Sequence, residues 1–330
     1  MSEVPPYTIH RITRNTDLSS MVGLIETCLN QHVDEKYFDW KYFDNPAGEV
    51  IGFVAIANKK IVSFYGVIPE WYSVGGEKRM IYQSMDTMTD PSFRRLGLFN
   101  KLALTTYEAV REIQPGFTII GFPSPQSFPG FVNKLGWKNA FNWKYRFCYR
   151  LMFRIRVPWI GKSTFVFKEL NEISEDLRTY LQGRKPKAKI QKYLDPQILK
   201  WKTFDNRHKP IRVAGVYQAE RFVGFCTYYI DTPKSCQILQ IDTLPEVRNF
   251  AMKHLMKYTF EITNARCIYS WDPLAPAERK ALSRLGFMSN PFNKGPFHHQ
   301  FPFIVYSDPT AQASDWLDSE SYHFEGIMLD

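Results

Sequence analysis

The sequence of 330 residues has few cysteines, no long apolar run and no excess of acidic side chains. Its five cysteines, Cys28, Cys148, Cys226, Cys236 and Cys267, are odd in number and include no Cys-x-x-Cys pair. That pattern argues against a secreted disulfide framework and against a zinc site. None adjoins a histidine in the chain, so the thiols read as small buried hydrophobes rather than nucleophiles. No stretch approaches the roughly 18–20 apolar residues that a membrane-crossing helix needs, and the first residues carry no secretory apolar core. A cytoplasmic protein without an integral membrane segment is expected.

The composition is globular, with 44% hydrophobic and 23% charged residues, and the length suits two domains better than one core. A net charge of +9 admits nucleic acid, a membrane surface or phosphorylated ligands as partners. The basic residues crowd two places. Gly183 to Lys189 reads as a solvated loop beside Pro186. Arg146 to Arg156 alternates basic and apolar residues, as a half-exposed strand would; it reads as the last strand of the first half entering a linker at Pro158. A membrane-surface contact through Leu151, Phe153, Ile155 and Trp159 is the alternative there.

The chain repeats itself. Trp40-Lys41-Tyr42-Phe43-Asp44-Asn45 recurs as Trp201-Lys202-Thr203-Phe204-Asp205-Asn206, Met85-Asp86-Thr87-Met88 as Ile241-Asp242-Thr243-Leu244, and Leu135-Gly136-Trp137 as Leu285-Gly286-Phe287. Between the first two pairs each half carries a two-strand pattern, Ile51 to Ala57 with Ile61 to Val67, and Ile211 to Tyr217 with Phe222 to Ile230. Two copies of one α/β unit follow, a mixed α+β fold expected to divide into residues 1–155 and 156–330. Further elements are expected as a strand at Tyr7 to Ile12, a helix capped by Thr16 or Asp17 and ending at Leu29, a strand at Met80 to Thr89, and a connector helix at Ser174 to Gln182.

The segment from Asp86 to Phe99 carries the clearest chemistry. A strand breaks at Pro91, passes through Phe93-Arg94-Arg95-Leu96-Gly97, and opens a helix expected over Leu98 to Ile113. The first N–H groups of such a helix lack intrahelical partners, and its dipole favours an anion by about 0.3–2 kcal/mol. Gly97 permits close approach to the backbone, and Arg94 and Arg95 add charge-assisted donors. An ordinary turn with solvated arginines fits the local pattern equally. In the second copy the same place reads Glu246-Val247-Arg248-Asn249-Phe250-Ala251, without glycine and with an added carboxylate, so a single anion site in the first copy is expected.

With the strand Phe117 to Phe122 and the closing Leu135-Gly136-Trp137, this turn resembles the GNAT acyltransferase superfamily. The tandem arrangement, the Arg94 to Phe99 turn and Gly121-Phe122-Pro123 resemble acyltransferases of polysaccharide and amino-sugar pathways. The family's acetyl-CoA turn ends in a small residue, where this chain has Phe99. The resemblance implies mixed, mostly antiparallel sheets flanked by helices and an acetyl-CoA co-substrate without a metal. It also implies that Thr87, Met88 and Thr89 pair with pantetheine, while Arg94, Arg95, Leu96, Gly97, Leu98 and Phe99 surround the diphosphate.

The implied reaction is direct attack of an amine on the thioester. Asp86 is the nearest candidate base; because Asp242 occupies the matching place, a structural role in both copies is the alternative. Many relatives have a tyrosine acid where this chain has Val132, which leaves Ser124 and Ser127 as nearby hydroxyls, with Ser124 the catalytic candidate. Proximity alone would also serve. His298-His299, if on a strand, would point to opposite faces, one inward and one exposed, which disfavours joint metal binding. A terminal carboxylate, Asp330, is a further conceivable base.

The expected acceptor is a small-molecule primary amine, an amino sugar or a nucleotide-linked amino sugar. Aromatic content of 16% suits sugar stacking and equally a large core. A non-catalytic acyl-CoA-binding or scaffold protein and a nucleic-acid-binding protein are the competing readings, the last supported by charge alone, so no nucleic-acid partner is expected.

Overall fold

Asn58 and Lys59, both at positive φ, turn the chain between two apolar runs, and that hairpin is the first half's framework. The computed structural model describes residues 6–158, 164–292, 294–311 and 315–328. In chain order the first half contains β1 (Thr8–Arg11), α1 (Ser19–Leu29), α2 (Glu35–Phe38), β2 (Ile51–Ala57), β3 (Lys60–Val74), β4 (Glu77–Thr89), α3 (Leu98–Ile113), β5 (Thr118–Gly121), α4 (Phe128–Leu135) and β6 (Lys138–Tyr149). A single π-helical turn, Asp39–Phe43, extends α2.

The chain continues through α5 (Arg150–Arg156), β7 (Phe165–Leu170), α6 (Glu175–Gln182), β8 (Ile190–Lys192), α7 (Pro196–Lys202), β9 (Arg212–Gln218), β10 (Arg221–Thr232), β11 (Ser235–Thr243), α8 (Arg248–Thr263), β12 (Cys267–Trp271), α9 (Pro276–Arg284), β13 (Gln300–Ser307) and β14 (Tyr322–His323). The repeat is thus visible element for element. A hairpin (β2–β3, β9–β10) leads to a strand (β4, β11), a 3-10 turn (Pro91–Phe93, Pro245–Val247), a helix of 16 residues (α3, α8), and a parallel strand (β5, β12) followed by a helix (α4, α9).

Two compact units emerge, and they interleave along the sequence. One comprises residues 1–72, 78–142 and 301–318; the other comprises 73–77, 143–300 and 319–330. Residues 143–155, expected with the first copy, therefore belong to the second unit. The reason is strand pairing: Tyr145 to Tyr149 of β6 run antiparallel to Trp271 to Cys267 of β12. In the first unit, Ile304 to Ser307 of β13 occupy the equivalent antiparallel position beside Gly121 to Thr118 of β5.

Each unit buries its own core. In the first, Leu102, Tyr107 and Val110 of α3 pack on Tyr65, Tyr82 and Ile119 of the sheet, with Phe131 and Trp137 closing the cluster. In the second, Met252, Leu255 and Met256 of α8 pack on Cys226, Ile238 and Ile268. Three buried thiols, Cys148, Cys226 and Cys236, belong to the second core, and burial pushes Cys148 and Cys236 up to about 12, so they stay protonated at neutral pH.

Two local expectations are corrected. The strand read through Ile155 stops at Tyr149, and Arg150–Arg156 is helical, with Phe153 buried and Leu151 and Ile155 exposed. Trp159 lies outside the described residues. The basic loop after α6 is not simply solvated: the Arg184 side chain is 7% exposed and its Nε lies 2.5 Å from Asp242 Oδ2.

Candidate acyl-CoA site in the first unit

β4 pairs in parallel with β5 only through Tyr82 and Gln83, opposite Ile119 and Ile120, yet runs on to Thr89. The two strands therefore part after Gln83, leaving a gap of the kind in which an extended ligand can pair with backbone. Gln83 is buried at this fork and its side-chain oxygen has no partner. Past the fork, Asp86 takes φ 41°, a left-handed conformation that is uncommon for a residue other than glycine and that re-aims the peptide groups after it. Met88 is buried and its carbonyl accepts from Ser63 Oγ at 2.9 Å, while Thr87 and Thr89 are half-buried; Ser63 Oγ also lies 2.8 Å from Thr89 Oγ1.

The turn that follows is built by its own residues. Asp90 accepts from the Ser92 N–H at 2.8 Å and Pro91 opens the 3-10 turn, while Arg94 Nε donates to the Thr89 carbonyl at 3.2 Å. Arg95 has φ 67° and Gly97 φ 74°. Gly97 is the N-cap of α3, and the first bond into the helix runs from Lys101 N–H to its carbonyl at 3.0 Å. The amides of Leu98, Phe99 and Asn100 thus have no helical acceptor. A Cβ at Gly97 would meet nothing within 4 Å, so the cap opens to free space. Arg94 and Arg95 are exposed, Leu96 half-buried and Leu98 buried.

Phe99, anomalous against the family pattern, turns away from this opening. Its ring packs edge-on against Phe131, centroids 5.0 Å apart, and against Tyr65 at 6.1 Å. A Cβ on Gly130 would lie 2.8 Å from the Phe99 ring. The large side chain therefore fills core space that a glycine on α4 vacates, and its backbone amide stays at the turn. Gly130→Ala should displace Phe99 and lower stability by about 1–3 kcal/mol, a loss that a denaturation curve would register and that Phe99→Leu should partly restore.

Asp86 is engaged. Its Oδ2 lies 2.8 Å from Lys41 Nζ, which is 3% exposed, and accepts from Tyr42 Oη at 2.8 Å; Lys41 also donates to Tyr37 Oη at 2.8 Å. The lysine of the repeated Trp-Lys pair thus anchors this carboxylate in the first copy, together with Tyr42. Ser124 is exposed and its groups serve the start of α4, where its carbonyl accepts from the N–H groups of Ser127 and Phe128. Its Oγ lies 3.2 Å from Ser127 Oγ. Val132 brings no hydroxyl to α4.

Sequence reasoning missed a buried hydroxyl array at the fork. Tyr65 Oη lies 3.2 Å from Tyr107 Oη, Trp137 Nε1 donates to Tyr107 Oη at 2.8 Å, and Ser84, the residue after the fork, hydrogen-bonds Tyr65. Burial raises the pKa of both tyrosines, which are neutral donors at physiological pH. The signal was present as tyrosines on the inward faces of β3 and α3, but aromatic core positions read identically until packing brings the hydroxyls together.

Two other candidates resolve simply. His298 and His299 precede β13 in an irregular segment, and their rings lie 3.7 Å apart, so strand alternation does not apply. His298 is half-buried and His299 exposed. Among the described residues no group of three or more His, Cys, Asp or Glu side chains could hold a metal ion. Asp330 lies outside the described residues.

Comparison with known proteins bears on the fold that carries this fork and glycine-capped helix. Residues 9–140 match the family model described as an acetyltransferase (GNAT) domain. Over this segment the chain is similar to a GNAT domain. No curated protein sequence matches the chain. Among solved structures it is similar to a GCN5-related N-acetyltransferase from Anabaena variabilis, with 12% identity, a TM-score of 0.65, and coverage of 91% of this chain and 72% of that one. A tandem GNAT protein from the clavulanic acid biosynthesis pathway aligns at 11% identity and TM-score 0.63, over 93% of this chain and all (100%) of the other. The N-myristoyltransferase of Saccharomyces cerevisiae, solved with bound myristoyl-CoA, aligns at 11% identity and TM-score 0.61, over 95% of this chain and 81% of its own. These likenesses establish the fold: two tandem GNAT-like units of mixed sheet flanked by helices.

Among the described residues no helix is long and apolar enough to cross a membrane.

Proposed function

We propose that the protein transfers an acyl group from acyl-CoA, with acetyl-CoA as the donor, to a primary amine of an amino sugar or a nucleotide-linked amino sugar. The observation that carries the reading is the Gly97 cap, open to solvent at φ 74° beyond the parted strands β4 and β5. In this reading the diphosphate sits on the free amides of Leu98 to Asn100, beside Arg94 and Arg95, and the pantetheine enters the gap along Thr87 to Thr89. Attack of the neutral amine on the thioester carbon forms the new C–N bond and expels the thiolate, the amine proton leaving to a base or water. Orientation of the two reactants supplies most of the acceleration. In this reading the half-buried Ser84 hydroxyl, backed by those of Tyr65 and Tyr107, is the candidate proton donor to the thiolate.

Asp86 is in this reading a positioning group. Neutralising it removes the carboxylate charge beside the buried Lys41 ammonium, so Asp86→Asn should lose about 3–5 kcal/mol of stability. The acid limb of the kcat against pH profile should persist in whatever folds. A fully stable variant that has lost this limb would make Asp86 the base.

The absence of a tyrosine at Val132 favours one second reading, acyl-CoA binding without transfer. Acetyl-CoA titration with thermal-shift readout, followed by assay of free thiol release with glucosamine and UDP-linked amino sugars, separates the two. A saturating shift with amine-dependent thiol supports transfer; a shift without thiol supports binding alone; no shift removes the donor assignment.

A further inference from the structure

All of the chain's positive excess comes from one stretch. Between Glu112 and Glu169 there is no acidic residue, while the lysines and arginines number nine, equal to the net charge of +9, so the remainder of the chain is electrically balanced. Within this stretch, in the second unit, lies α5. Its inner side is pinned: Phe153 is buried against Phe260, ring centroids 5.5 Å apart, and Arg150 donates to the Ala265 carbonyl at 3.0 Å and to the Phe260 carbonyl at 2.5 Å. Those two bonds satisfy carbonyls at the end of α8 and just beyond it, and they fix which side of α5 faces outward.

The outer side is uncovered. Leu151 and Ile155, one turn apart and so on one face, are 69% and 63% exposed. Single aliphatic side chains scattered over a surface are ordinary, but two neighbours flanked by cations make an amphipathic patch. Arg154 and Arg156 beside them are exposed, and no ion pair engages them among the described residues. Lys234 and Arg266, also exposed, adjoin the start of α5 through backbone bonds, Arg150 N–H to the Arg266 carbonyl at 2.9 Å and Arg266 N–H to the Lys234 carbonyl at 2.8 Å. Two carboxylates share these neighbouring elements: Glu261 of α8, 3.8 Å from Lys257, and Asp231 of β10, 3.5 Å from Ser235 Oγ.

A nucleic-acid backbone would engage the arginines and leave Leu151 and Ile155 in water. A bilayer surface carrying anionic lipid takes both, with headgroup phosphates on the guanidinium groups and the acyl boundary on the aliphatic pair. We propose that α5 docks the protein on the surface of an anionic bilayer, Leu151 and Ile155 entering the boundary between headgroups and acyl chains, Arg154 and Arg156 pairing with lipid phosphates, and Arg266 and Lys234 adding attraction. Docking in this way crosses no bilayer and requires no acyl transfer by the first unit.

Co-sedimentation of the full chain with lipid vesicles tests it. Vesicles of phosphatidylcholine with about 30% phosphatidylglycerol should bind the protein at least about tenfold more tightly than phosphatidylcholine alone. The double variant Leu151→Asn with Ile155→Asn, and separately Arg154→Gln with Arg156→Gln, should each weaken that binding about tenfold while leaving the thermal midpoint unchanged. Where the asparagine variant does not fold, the arginine variant and the comparison of the two vesicle types decide. Equal binding to both vesicle types, or a folded variant of either pair that binds anionic vesicles as tightly as wild type, would overturn the proposal. So would tighter binding to duplex or single-stranded DNA that the asparagine variant retains, or a dimer in light scattering that the asparagine variant abolishes, since a second copy would then cover the patch.

Discussion

A Gly97→Glu variant is expected to lose the stabilisation that acetyl-CoA confers on the wild-type protein, with Kd raised roughly 100-fold or more. The cap's open surroundings mean that a side chain there can be housed without collision, so the protein folds. Its φ of 74° imposes a left-handed backbone on a residue with a Cβ, at roughly 1–2 kcal/mol. The new carboxylate would then stand beside the diphosphate, where a like charge at about 5 Å and an effective dielectric near 20 contributes roughly 3 kcal/mol of repulsion. Gly97→Ala shares the backbone strain without the charge and should keep most of its affinity. Thermal-shift titration of both variants is decisive: equal affinities in glutamate and wild-type proteins would place the diphosphate elsewhere.

The second large effect concerns Asp242, 1% exposed, with Arg184 Nε at 2.5 Å, Lys187 Nζ at 2.8 Å and Tyr180 Oη donating at 3.0 Å. Asp242→Asn strands two cations in or near the core and should lower stability by about 3–5 kcal/mol. Burial alone would raise the carboxyl's pKa, but Arg184 and Lys187 hold it well below the usual carboxylate range. Because the folded pKa lies below the unfolded one, this stabilisation is complete above the unfolded value, near 3.8, and is lost as pH falls through the folded pKa. Urea midpoints of the wild type should therefore drop on acidification below pH ~4, and the variant should lack that component. A variant as stable as wild type at pH 7 would refute the anchoring role.

Much of the fold was legible because periodicity and turn chemistry are local. The helix expected over Leu98 to Ile113 is α3, and the hairpin turn at Asn58 and Lys59 lies where the polar break stood between two apolar runs. The duplication was legible because paired segments kept their order. What the sequence could not show was partnership at a distance. Arg184 and Lys187 look like a solvated basic loop until the fold sets them on Asp242, and Phe99 looks like a blocked diphosphate turn until Gly130 is seen beneath its ring. Asp86 and Asp242 share a place in the repeat but recruit different cations, Lys41 in one and residues after α6 in the other. A carboxylate at a shared position can keep its anchoring task while its partners drift.

The exchange of strands has a consequence for how the chain matures on the ribosome. The first unit cannot complete its sheet when residue 142 has been made, because β13, which closes it beside β5, is encoded some 160 residues later, at Gln300–Ser307. During synthesis β5 waits with one edge bare, and such an edge is a template for wrong pairing. Nascent polypeptide halted before residue 300 should therefore lean on chaperones far more than the finished protein does.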